Sequence, residues 1–190
     1  RFKLDTNSRI SLSNNDSGGT GGSDSLSANT ILGHKAGEDI ASGGTDNTYF
    51  GHKSGSNNAT GDDNVFMGSN AGKGAHGNSN SNNVGVGSDS MLAIETGGNN
   101  TAVGASSLAS LTTSGDNVAV GQTSLAQLST GSNNTALGRL SITALTTGTD
   151  NTAIGRASLY TAAHDETNNV AIGSSAMQAA KQDGTVSSTN

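Results

Sequence analysis

His34 and His52 stand 18 residues apart, each followed by a lysine (Lys35 and Lys53), and they are the chain's best candidates for metal chemistry. Neutral imidazole binds zinc well, but a zinc site needs at least three protein ligands. The third equivalent position is Ser69, so the pair is expected to form an exposed column and not a metal centre. His76 and His164 fall in longer turns with no evident partner. The acids Asp46, Asp62, Asp63, Asp116 and Asp150 invite comparison with calcium-binding rolls, whose nonapeptide holds aspartate at a fixed place. That nonapeptide is absent. Adventitious surface Ca2+ is the one cofactor the acids leave room for. The chain has only three glutamates, Glu38, Glu95 and Glu166, and no cysteine. No nucleophile, base and acid can be grouped from these residues, and no glycine-rich segment opens a helix to cradle a phosphate. No enzyme is expected.

The residues that do recur belong to one word: Asn, then Thr or Val, a variable residue, an apolar residue and Gly. Its glycines are Gly33, Gly51, Gly68, Gly87, Gly104, Gly121, Gly138, Gly155 and Gly173, spaced 18, 17, 19, 17, 17, 17, 17 and 18 residues apart. A period this regular implies a stack of equivalent coils. Segments such as NTAVG, NVAVG and NTALG are β-branched and bounded by Asn and Gly, which predicts a strand in each coil. After the third repeat the following segment gains a second apolar cluster, such as Leu108 with Leu111 and Leu125 with Leu128. Spacing of three suits a bent strand or a single helical turn, too short for a free helix. The return is a tight turn: SGDN at 114–117, GSNN at 131–134 and GTDN at 148–151, residues that tolerate positive φ.

Stacked coils about 4.8 Å apart place each residue beside its own copy. Asn29, Asn47, Asn64, Asn83, Asn100, Asn117, Asn134, Asn151 and Asn169 then form a column. A carboxamide both donates and accepts, so the column is expected to bond to itself and cap the turns. On the strand, Thr or Val and the large aliphatic before Gly share one face, read as the interior. Asn and the small residues share the other. The expected oligomer face is therefore Ala102, Ala119, Ala136, Ala153 and Ala171, with Ile31, Tyr49 and Phe66 in the same column of the early repeats. Few large side chains serve each coil, so packing against sister chains is expected to complete the fold.

Composition fits a thin coil: 31% hydrophobic, 3% aromatic and 13% charged residues, with 28 glycines. That apolar content is low enough to suggest disorder, but the apolar residues recur in phase and the charge is low. A formal net charge of −6 with nine dispersed Lys and Arg offers no basic patch for nucleic acid. No apolar run is long enough for a membrane helix, and no signal peptide is visible. The expected organisation is a strand and linker segment over 1–28, the repeats over 29–180, and a polar segment over 181–190. In the first, Phe2, Leu4, Ile10 and Leu12 alternate before a glycine connector at 18–22. The start at Arg1 and the polar end suggest a piece of a longer polypeptide.

The repeated word at this spacing resembles the head repeats of trimeric autotransporter adhesins. The longer unit S-L-x-x-L-x-T-G-x-N-N-T-A-V-G looks still more like repeat regions of phage tail fibres, and so does the opening RFKLDTNSRISLSNNDSGG. The resemblance covers about residues 29–180, and 17 to 19 residues per coil exceeds the adhesin head repeat, so cross-section and handedness do not carry over. It implies an all-β parallel β-solenoid (β-roll) of about nine coils, assembled as a homotrimer. It further implies a shaft on a virion-surface appendage or cell surface, whose partner is itself. A host glycan or protein would be met through a region outside this segment. Alternatives are a bacterial adhesin head, a self-assembling filament, an ice-binding solenoid and a glycan-binding fibre. The partial Thr rows (Thr101, Thr135, Thr152; Thr96, Thr130, Thr147) argue against ice, and the scarcity of aromatics argues against sugar stacking.

Overall fold

The computed structural model describes residues 28–40, 43–161 and 165–177. Each repeated word forms a three-residue strand: β1 (Thr30–Leu32), β2 (Thr48–Phe50), β3 (Val65–Met67), β4 (Val84–Val86), β5 (Thr101–Val103), β6 (Val118–Val120), β7 (Thr135–Leu137), β8 (Thr152–Ile154) and β9 (Val170–Ile172). All nine pair in sequence order as one parallel sheet. The register never slips; Ala102 lies against Ala119, Ala119 against Ala136, and Ala136 against Ala153. The described residues form an all-β parallel β-solenoid of about eight turns between nine strands. The expected strand and connector of residues 1–28, His164 and the segment 181–190 lie outside the described residues, apart from Ala28.

The second leg is neither strand nor helix. It is two consecutive tight turns, seen in coil five as Ser107 N donating to Gly104 O at 3.3 Å and Leu111 N donating to Leu108 O at 3.2 Å. The spacing of three that suggested a helical turn is the span of one such turn. The leg is nonetheless laddered to its neighbours. Ser106 N donates to Ser88 O on one side, while Leu108 N and Ser110 N donate to Ser124 O and Ala126 O on the other. These inter-coil bonds satisfy backbone groups that a buried irregular leg would otherwise leave unpaired.

Two residues of this leg take positive φ in every coil. One lies two after the strand-end glycine, from Lys35 at 58° to Ser175 at 57°. The other lies four after it, and here the chain uses two solutions. The first three coils place glycine there (Gly37, Gly55, Gly72), and the rest place Met91, Leu108, Leu125, Ile142, Leu159 and Met177, with φ between 47° and 51°. A left-handed β-branched or Leu residue is strained. It is held because its side chain fills the coil: Met91, Leu108, Leu125, Ile142 and Leu159 are fully buried.

The residue six positions earlier, in the middle of the strand, compensates. Ile31, Tyr49 and Phe66 accompany the three glycines, whereas Gly85, Ala102, Ala119, Ala136, Ala153 and Ala171 accompany the large residues. A Cβ on Gly72 would stand 2.4 Å from the Phe66 ring, and one on Gly55 would stand 2.5 Å from Tyr49. Each coil has room for one large side chain at this level, supplied by either the strand or the turn.

Candidate functional site

The asparagine column is a continuous internal ladder. At its centre, Asn117 Nδ2 donates to Asn100 Oδ1 at 3.1 Å, to Gly115 O at 3.0 Å and to Gly131 O at 2.9 Å. Asn117 Oδ1 in turn accepts from the backbone N and the Nδ2 of Asn134. Side-chain oxygens accept from the next asparagine's backbone N at every step from Asn29 to Asn169. The carboxamides are buried from Asn29 to Asn151, so their saturation is structural. A second polar column, which sequence reasoning missed, follows the strand-end glycines: Ser54, Ser90, Ser107, Ser124, Ser141 and Ser158 are fully buried. Ser107 Oγ bonds Gly104 O at 2.8 Å, and Ser141 Oγ meets Ser158 Oγ at 3.0 Å. The serine three residues after the strand-end glycine in most coils was its signal.

The strand-end glycines permit the stack to close. Their φ values lie between +126° and +145°, a region L-residues rarely enter. From Gly33 to Gly155, an added Cβ would stand 2.3–2.6 Å from the next glycine's carbonyl oxygen.

The expected sidedness of the strand is reversed. Ala102, Ala119, Ala136 and Ala153 are fully buried inside their own coils, and Ala171 is 2% exposed. They cannot form an oligomer face. The coil interior at the strand is closed by the turn-leg Leu, Ile or Met, which leaves room for a methyl group and no more. The aliphatics before glycine, assigned to the interior, face outward instead: Leu32, Phe50, Met67, Val103, Leu137, Ile154 and Ile172 are 37–68% exposed. Beside them runs the Thr or Val row, Thr101, Val118, Thr135 and Thr152 among them. The result is an outward strip two side chains wide, free of ionisable residues on all nine strands.

Charged rims flank this strip. Two residues before the strand, Asp46, Asp63, Asp116 and Asp150 are exposed in left-handed turn positions. Two residues after it, His34, His52, Arg139 and Arg156 are exposed. The two imidazoles stack, with ring centroids 5.5 Å apart and planes at 5°, the column expected from their spacing. His76 does find a partner: its Nδ1 lies 2.5 Å from Asp39 Oδ2, two coils away. That contact and the Lys35–Glu38 ion pair are the only contacts between basic and acidic side chains among the described residues, so the rim acids and arginines have none there. No group of three His, Asp or Glu side chains converges on one point among the described residues.

The early coils also bury a phenol among their carboxamides. Asn58 Nδ2 donates to Tyr49 Oη at 2.7 Å, and burial pushes the Tyr49 phenol well above its ordinary range. Tyr49 also stacks on Phe66, ring centroids 5.6 Å apart. Compared with family models, curated proteins and solved structures, the chain matches none of them.

Proposed function

We propose that this chain is a structural shaft element of a viral tail fibre or similar surface fibre, working as an oligomer that holds a binding region away from the particle. The observation that carries this reading is the unbroken asparagine ladder, which joins nine strands without one register change. A stack bonded coil to coil in this way resists bending, and its length scales with the number of coils. Its work is mechanical, and repeated chains bring avidity to whatever the distal region binds. The resemblance of the longer repeat to phage fibre segments supports the viral setting and favours three chains.

Immunogold labelling with antibodies against this chain tests the reading. Decoration along a projecting appendage is expected. Label confined to a compact body or to the cell interior would contradict it.

A further inference from the structure

The outward strip lacks charge, runs the full length of the sheet and repeats with every coil. Two side chains on each of nine strands, about a third to two-thirds exposed along the aliphatic row, present roughly 700–1,000 Å², against about 800 Å² per partner in a standard interface. A partner that matches it row for row offers apolar rows at the same coil spacing over the same length. The surface on the page that does so is another copy of this strip. The rims then fix orientation. Asp116 and Asp150 precede β6 and β8, while Arg139 and Arg156 follow β7 and β8.

Rotation about an axis along the rod keeps coil levels matched and sets the acidic rim of one chain against the basic rim of the next. Asp150 then meets Arg156 at the same level and Arg139 one level away. Reversing one chain sets acidic rim against acidic rim, with Asp46 beside β2 facing Asp150 beside β8. That arrangement repels.

We propose that copies of this chain pack side by side, parallel and in register, through the outward Thr/Val and aliphatic strip, with the acidic rim of each chain against the basic rim of its neighbour. The proposal rests on the fibre reading, but the two fail separately. An oligomeric rod on an appendage whose association ignores the rim charges would remove this interface alone, and an oligomer found away from any appendage would remove the shaft alone.

Sedimentation equilibrium of the full chain tests it, together with three charge variants. The wild type is expected at a multiple of 18.7 kDa. Asp116→Lys with Asp150→Lys should weaken association at least about tenfold, and so should Arg139→Glu with Arg156→Glu. All four changes in one chain should restore it, because the rims have exchanged sign. As the chain has no cysteine, Phe50→Cys should form disulfide-linked dimers by itself, one bond using the single thiol of each of two chains. An antiparallel pair would cross-link only when Phe50→Cys is mixed with Ile154→Cys. A monomeric wild type, with or without thermal hysteresis that would assign the strip to ice, overturns the proposal. So does failure of the four-fold variant to recover, or cross-linking confined to the mixture.

Discussion

Each ladder asparagine inside the stack uses both ends of its carboxamide: nitrogen to its own turn and its neighbours, oxygen to the next coil. The strand-end glycine beside it is constrained twice, by φ and by the neighbouring carbonyl. These constraints can be separated by substitution. Gly121→Ala meets both, since φ is +133° and the Cβ would stand 2.5 Å from Gly138 O. Gly77→Ala meets only the first, with φ +77° and nothing within 4 Å. Thermal or denaturant melts should show a loss of about 1 kcal/mol for Gly77→Ala and about 3 kcal/mol or more for Gly121→Ala. Equal losses would mean that the coils can separate to admit a methyl group. The glycine and asparagine columns were legible in the sequence because both occupy every repeat and chemistry gives each a narrow role.

Within a coil, the strand and the turn leg share one interior space, and the chain fills it in two ways. Phe66 fills it from the strand beside Gly72; Leu108 fills it from the turn beside Ala102. A double-mutant cycle on the first pair should expose the exchange. Phe66→Ala alone should cost about 3–5 kcal/mol as a cavity opens. Gly72→Leu alone should cost about 2 kcal/mol or more by overpacking against the ring. Together they reproduce the later coils, and most of the loss should be recovered, a coupling visible in urea midpoints. Additive losses would show that the two coil styles are not interchangeable.

This exchange also explains where sequence reasoning fell short. The change of style after the third repeat was visible, and so was the larger residue in the alanine column. What could not be read was that the strand's middle residue faces the turn residue six positions on, because the turn leg has no period of its own. Both faces of NTAVG are apolar enough to be interior, and alternation alone cannot choose between Ala102 and Val103. The choice is made by the size of Leu108 across the coil.

At the scale of the molecule, one ladder, one glycine column and one sheet run through the described repeats, so every coil junction is equivalent and length should add coil by coil. Small-angle X-ray scattering of a variant in which residues 105–155, three coils of 17, are duplicated in tandem tests this most directly. The expected result is a particle longer by about 14 Å, three strand spacings, with its cross-section unchanged. An unchanged length with a thicker cross-section would contradict a stack of equivalent coils.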